Sequence, residues 1–127
     1  MQERRSNADR RAQTRQALLE TARPLFAEKG FAATGTPEVV AQAGVTRGAL
    51  YHHFADKAAL FEAVIEAEAD AIAAAIESAT EDLTGAEALR QGGRAYLRTM
   101  REPGRLRLML VEAPAVLGPD VLRRIDA

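Results

Sequence analysis

The stretch TPEVVAQAGVTRGALYHHFADK, residues 36–57, predicts a helix, a tight turn, a second helix and the start of a third. Thr36 is suited to cap the first helix, with Pro37 at the first helical position. Gly44 stands where the chain must turn, because glycine adopts the left-handed backbone conformation that commonly ends a helix. Thr46 can then cap the second helix. Together these signals indicate a helix-turn-helix.

The second helix of this motif has an apolar side and a polar side. Leu50 and Phe54 are four residues apart and share one face, which we expect to point inward. A short helix with exposed hydrogen-bond donors and an aromatic ring fits the major groove of DNA. The donors and the ring are on the opposite face: Arg47, Gly48, Tyr51 and His52.

The segment AGVTRGALYHHFADKAALFEAV, residues 43–64, resembles the recognition-helix signature of the TetR/AcrR family of transcriptional regulators. Residues 17–36, ALLETARPLFAEKGFAATGT, are similar to that family's first helix and exit loop, so the resemblance covers roughly residues 10–65. Val40 departs from the pattern, since the family usually has Ala there. The signature is carried by Ala43-Gly44-Val45, Gly48, Leu50-Tyr51, His53-Phe54, Lys57 and Leu60.

The resemblance implies an all-α fold. We expect a three-helix DNA-binding domain over residues 10–55, then a long fourth helix that opens a helical effector-binding and dimerisation region over residues 56–127. The family function would be that of a cytoplasmic, homodimeric repressor. It would bind a pseudo-palindromic operator in double-stranded DNA and be released by an unknown small-molecule effector.

Arg47 is the best candidate for reading bases, because arginine pairs in bidentate fashion with guanine O6 and N7. The alternative is an arginine that contacts only phosphate. The resemblance places Tyr51 against phosphate or a thymine methyl group, and it makes His52 and Lys57 phosphate contacts. Thr36 can offer its hydroxyl and its backbone N–H to phosphate. The predicted DNA-contacting set is Thr36, Thr46, Arg47, Gly48, Tyr51, His52 and Lys57.

The basic residues concentrate in the first half of the chain. Residues 1–60 hold nine Lys or Arg and six Asp or Glu, a net charge of +3, whereas residues 61–127 hold eight and twelve, a net charge of −4. We expect residues 1–9 to be disordered. A basic arm formed by Arg4, Arg5, Arg10 and Arg11 would either meet DNA or be a solvated tail, and both interpretations stay open.

The remaining sequence predicts further helices. Helix one should span residues 10–29 as one kinked helix through Pro24, and Phe31 should close the core with Leu50 and Phe54. Asp56 should cap helix four, which reaches about Ser78, and Thr84 should cap helix five. Gly92 and Gly93 there permit close packing, a bend or a ligand gap. Helix six is expected within residues 105–118, with its end near Pro114 or Gly118, followed by a seventh helix from Pro119. The inward residues of helix six should be Leu106, Leu110 and Val111.

The second half suggests two ligand-binding sets. Tyr96, Met100 and Met109 are candidates for an effector pocket, although residues of these types at helical spacing more often fill a core. Arg94, Arg98, Arg101 and Arg105 recur every three or four residues, which suits either an anionic ligand or, in our preferred interpretation, a solvated face.

Composition narrows the remaining functions. With no cysteine, the chain has no disulfide and no thiolate metal site, and we expect no metal or other cofactor. Uncharged runs reach only eight residues, too few for a membrane span. Adjacent His52 and His53 point about 100° apart on a helix and cannot chelate one metal. No glycine-rich phosphate loop or catalytic triad pattern supports an enzyme, so no catalytic residue is predicted.

A further possibility is a truncated relative that keeps the fold but lacks tight DNA binding or induction. Family members normally carry further helices that form the dimer interface. We therefore expect the functional unit to be a homodimer whose interface lies mainly beyond Ala127. The 127-residue chain alone should then be monomeric or loosely associated.

Overall fold

The computed structural model describes residues 6–126, and within that range the protein is all-α, with no strand. This confirms the predicted fold class. The chain forms two compact units, and the boundary between Val64 and Ile65 falls inside the fourth helix. The helices are α1 (Asn7–Lys29), α2 (Thr36–Ala43), α3 (Arg47–His53), α4 (Lys57–Thr80), α5 (Gly85–Thr99), a π-helical segment (Arg107–Glu112), α6 (Ala113–Val116) and α7 (Pro119–Asp126).

Helix α1 starts earlier than the sequence suggested. The Ser6 side chain accepts a hydrogen bond from the backbone N–H of Asp9 at 3.1 Å, and the Asp9 carboxylate lies favourably in the first turn. Residues 7–9 are therefore helical, and our expectation of disorder was wrong for them. Arg4 and Arg5, the outer part of the predicted basic arm, lie outside the described residues.

The apolar face of α1 forms much of the core of the first unit. Leu18, Ala22 and Phe26 are fully buried, as their spacing predicted. The helix runs through Pro24 without a break, so this is one helix rather than two. Gly30 ends it with a positive φ of 85°, and its N–H donates to the carbonyl of Phe26.

Three phenylalanines pack together in this core. The ring centroids of Phe26 and Phe61 are 5.2 Å apart, those of Phe31 and Phe61 are 5.3 Å apart, and both pairs meet edge to face. Such pairs contribute about 0.5–1.5 kcal/mol each beyond their burial. The expected packing of Phe31 with Leu50 and Phe54 stays a prediction. The aromatic contacts of Phe31 include Phe26 and Phe61, which the sequence did not indicate. The cause is that α4 brings Phe61 over this end of α1.

Helix α4 begins as predicted. Asp56 Oδ1 accepts a hydrogen bond from the N–H of Ala59 at 2.8 Å, and the helix continues to Thr80, two residues beyond the predicted end. Within the described range, no helix has the length and apolar character needed to cross a membrane.

In the second unit, the two glycines of α5 differ. A Cβ at Gly92 would lie 3.3 Å from Thr80 Cγ2 and 3.7 Å from Ile76 Cγ2, whereas one at Gly93 would meet nothing within 4 Å. Gly92 therefore permits the close approach of α5 to α4. Thr84 occupies the N-cap position of α5, but its side chain makes no capping hydrogen bond, contrary to our expectation.

The prediction of which residues of helix six point inward was wrong. Leu106, Leu110 and Val111 are 53%, 59% and 57% exposed. A π-helix has a wider turn than an α-helix, so residues 107–112 do not follow the 3.6-residue spacing that we assumed. Pro114 lacks the N–H that an α-helix would direct at the Leu110 carbonyl. The buried residues of this region are Leu108, Ala113 and Leu117.

The four arginines at positions 94, 98, 101 and 105, two in α5 and two after it, also differ in burial. Arg94, Arg98 and Arg101 are exposed, but Arg105 is buried, so a solvated face was wrong for it. Arg105 Nε donates to Glu68 Oε1 at 3.0 Å, and its Nη1 donates to the carbonyl and hydroxyl oxygens of Thr99 at 2.9 and 2.6 Å. This buried ion pair ties α4 to the end of α5.

Candidate nucleic-acid interface

The turn between α2 and α3 sets the direction of α3. Gly44 adopts the left-handed conformation, with φ 70° and ψ 31°, and the N–H of Val45 donates to the Val40 carbonyl at 3.1 Å. The Thr46 hydroxyl then accepts a hydrogen bond from the N–H of Ala49 at 3.0 Å. Both predicted turn signals are confirmed, and Thr46 still has a hydroxyl hydrogen to donate.

Helix α3 has two distinct sides. Leu50 is fully buried and Phe54, directly after the helix, is nearly so, which confirms the predicted inward face. Arg47, Gly48 and His52 are exposed, and Tyr51 is 41% exposed. The helix therefore presents its cationic first residue and its aromatic ring to the outside.

Arg47 and Tyr51 lie one turn apart and contact each other. The guanidinium carbon of Arg47 is 5.6 Å from the centroid of the Tyr51 ring, a cation–π distance. Both side chains line a concave surface between α2 and α3 that encloses a volume of about 440 Å³. The other lining residues are Thr36, Pro37 and Val40. This surface brings together three of the predicted DNA-contacting residues.

Thr36 has a different role from the one we expected. Gly35 is the N-cap of α2, since its carbonyl accepts the first helical hydrogen bond from the N–H of Val39 at 3.3 Å. Thr36 is the first helical residue, and its hydroxyl lies 3.3 Å from the Tyr51 hydroxyl. This hydrogen bond links α2 to α3 and holds the Tyr51 ring on the outer side.

Lys57 opens α4, and its ammonium group has partners within the first unit. Nζ donates to the carbonyl of Phe31 at 2.8 Å and lies 4.1 Å from the centroid of the Phe31 ring. An ammonium group has three donors, so this bond leaves capacity for a phosphate oxygen. Lys57 therefore also has a structural role that the sequence did not reveal.

A basic cluster, defined here as Arg11, Arg15, His52 and His53, lies where α1 approaches the end of α3. The pKa of His53 is lowered from its ordinary 6.5, first by burial and then by the positive charges of His52, Arg15 and Arg11. Arg15 Cζ also lies 5.2 Å from the centroid of the Phe54 ring. We missed Arg15 in the sequence, although its four-residue spacing from Arg11 places both arginines on one face of α1.

The three predicted effector residues lie around one cavity of the second unit. Tyr96, Met100 and Met109 line a space of about 440 Å³, closed on another side by residues of α4 that include Asp70. We will call it the second-unit cavity. Sequence reasoning missed Asp70, because an acidic residue on a long helix otherwise indicates only a solvated position.

Residues 6–126 contain no group of three or more His, Cys, Asp or Glu side chains placed to hold a metal ion. The rings of His52 and His53 lie edge to face, with centroids 5.3 Å apart. The same range has no buried side-chain nitrogen or oxygen without a hydrogen-bond partner. The polar groups available for recognition are therefore on the surface.

Comparison with known proteins gives a consistent match. Residues 18–64 match the model of a family described as bacterial regulatory proteins, tetR family. This range contains α2, α3 and the first third of α4. It therefore holds all seven predicted DNA-contacting residues.

The chain is also similar in sequence to individual regulatory and transposon proteins. The transposon Tn10 TetC protein of Escherichia coli is 33% identical over 113 residues, which cover 89% of this chain and 57% of TetC. The HTH-type transcriptional repressor BepR of Brucella suis is 44% identical over 54 residues, which cover 42% of this chain and 26% of BepR. This chain therefore spans little more than half of TetC and a smaller part of BepR.

A solved structure matches most of the fold. The crystal structure of a regulator of the same family from Pectobacterium atrosepticum superposes with a TM-score of 0.73 and 40% sequence identity. The match covers 94% of this chain and 64% of that one. The similarity thus extends beyond the DNA-binding helices into the second unit.

Proposed function

This chain belongs to the TetR family of bacterial regulatory proteins, and we propose that it is a sequence-specific DNA-binding regulator of transcription. The observation that carries the proposal is the exposed outer side of α3, which begins with Arg47 and continues with Tyr51 and His52. No catalytic residue is assigned, because the function requires only binding.

In this proposal α3 enters the major groove. Arg47, at the N-terminal end of the helix, donates two parallel hydrogen bonds to O6 and N7 of a guanine. Its stacking against Tyr51 limits the rotamers of the guanidinium group before DNA arrives, which reduces the entropy lost on binding. Gly48 lets the helix backbone approach the DNA closely, since it has no side chain.

Phosphate contacts on either side of α3 fix its position. Thr36 is the first residue of α2 and Thr46 is the N-cap of α3, and at such positions backbone N–H groups and hydroxyls can donate to phosphate oxygens. Lys57 uses the donors not engaged with Phe31. The basic cluster supplies further positive charge, and its charge makes affinity fall as salt rises.

Two copies of the protein bind one operator. A single α3 contacts only a few base pairs, so a symmetric dimer on two half-sites about 34–36 Å apart gains affinity and specificity. The operator is accordingly pseudo-palindromic. The homodimer is supported by family membership, and the copies act in the cytoplasm, where bacterial operators are.

A small-molecule effector controls this binding. The second-unit cavity, of about 440 Å³, has the size of a small-molecule site. Residues of α4 line it, and the same helix begins with Lys57 of the first unit. A ligand that binds less well to the DNA-bound arrangement of α4 than to another arrangement therefore shifts the protein away from the DNA-bound one. The repressor role is supported by the similarity to BepR, whose name states that function.

Selection of binding sites from a random duplex pool tests the function. The expected result is an enriched, inversely repeated motif, bound more tightly than random duplex in fluorescence anisotropy at low salt. A promoter carrying the motif should then lose activity when the protein is expressed. Enrichment of no motif would contradict sequence-specific binding. Enrichment without an effect on transcription would instead favour a relative that retains DNA binding but does not regulate.

A further inference from the structure

The second-unit cavity has an apolar wall with one charged group. Ile72 and Ile76 of α4 and the thioethers of Met100 and Met109 supply flexible apolar surface. Asp70 also lines the cavity, and among its described lining residues it is the only Asp, Glu, Lys or Arg. A ligand that fills this space therefore meets a mostly apolar surface with one fixed negative charge.

An aromatic ring also lines the cavity. Tyr96 is 42% exposed and lines the cavity, so the face of its ring is accessible to a ligand. Aromatic faces attract cations by about 0.5–1 kcal/mol at exposed sites. The ring and the Asp70 carboxylate therefore both favour positive charge.

The surface beside the cavity has the same sign. A neighbouring concavity is lined by Glu66, Asp70, Arg124 and Ile125, with two carboxylates for one guanidinium group. Glu66 and Asp70 are four residues apart on α4, so their charges add on one face of the helix. Arg124 offsets one of these charges and leaves the other.

We propose that the second-unit cavity binds an amphipathic organic cation, with its apolar body against Ile72, Ile76 and the two methionines and its cationic group beside Asp70. The proposal rests on the proposed function in one respect, since it names the chemical class of the small-molecule effector. A neutral apolar compound would lose the attraction of Asp70. An anion would be repelled by it.

Three compounds with the same cage test the choice of charge: 1-adamantylmethylamine, 1-adamantanemethanol and 1-adamantanecarboxylate. The chain has only three methionines, Met1, Met100 and Met109. With ¹³C-labelled methionine methyl groups, titration of the purified chain without DNA reports directly on two residues of the cavity. The Met1 signal serves as an internal reference for nonspecific effects.

The expected result is that the amine shifts the Met100 and Met109 signals at the lowest concentration and the carboxylate at the highest. Asp70→Asn should weaken amine binding by roughly two- to fivefold, the size of an exposed charge pair, and leave the alcohol unchanged. Glu77→Gln is the matched control, because it removes an exposed charge from α4 outside the cavity. It should leave the preference for the amine intact.

Equal affinities for the three compounds, or amine binding that is unaffected by Asp70→Asn, would overturn the choice of a cation. Absence of any shift at Met100 and Met109 would overturn the cavity as a ligand site. Circular dichroism of both variants checks that the fold is kept. Because these titrations contain no DNA, their failure leaves the operator-binding proposal standing, and a failed operator selection leaves the titrations valid.

Discussion

Replacing Gly48 by Ala should change the stability of the fold and the affinity for DNA in opposite directions. Gly48 is the second residue of α3, and an added Cβ would meet only Thr46 Oγ1 at 3.9 Å, an ordinary contact. Alanine should therefore fit without strain and raise the free energy of unfolding by about 0.4–1 kcal/mol, since glycine loses more backbone entropy on folding. For a chain of this length the melting temperature should rise by about 2–4 °C.

The effect of Gly48→Ala on DNA binding should have the opposite sign. If the backbone of α3 lies against DNA, the added methyl group meets a packed surface, and overpacking costs about 1–3 kcal/mol. Gly93→Ala is the matched control, because Gly93 lies in α5 with nothing within 4 Å of its Cβ position. The Gly93→Ala variant should gain a similar free energy of unfolding and bind the operator with the affinity of the unsubstituted protein. Unchanged operator affinity in Gly48→Ala, measured by anisotropy beside a thermal melt, would refute the close approach.

Three other changes have defined outcomes. Glu68→Gln should lower the free energy of unfolding in urea by about 3–5 kcal/mol, because it leaves the buried Arg105 charge unpaired; a loss below 1 kcal/mol would contradict a tight pair. His53 has a lowered pKa, so its contribution to stability is complete above about pH 6.5 and is lost as the pH falls through that lowered pKa; in urea titrations His53→Gln should flatten this pH dependence, and an unchanged profile would count against it. Lys57→Ala should weaken operator and random DNA alike and reduce the salt slope of log affinity by about one unit, whereas loss of operator binding alone would assign it to base reading.

The helix-turn-helix was predictable because its signals are local. Gly44 is needed for a left-handed turn, Thr46 for a cap, and the four-residue spacing of Leu50 and Phe54 for an inward face. Each of these depends on residues within one or two turns. The local sequence was therefore enough to predict them.

The errors and omissions arose where the structure depends on residues that are far apart in the sequence. The partners of Phe31 and the burial of Arg105 depend on residues more than 25 positions away, Phe61 and Glu68. The π-helical segment breaks the 3.6-residue spacing on which the inward face of helix six was predicted. In the second-unit cavity, Asp70 could not be assigned from sequence, because it is the fold that makes Asp70 and Tyr96 line the same cavity.

The most direct test of base reading is the affinity of Arg47→Ala for two duplexes, the selected operator and a scrambled sequence of the same composition. Fluorescence anisotropy at one fixed low salt concentration measures both. We predict a loss of about 1–3 kcal/mol per half-site on the operator, with relaxed preference at one base pair of each half-site and a much smaller loss on the scrambled duplex. Equal losses on both duplexes would show that Arg47 contacts only phosphate, and would contradict sequence reading by this residue of α3.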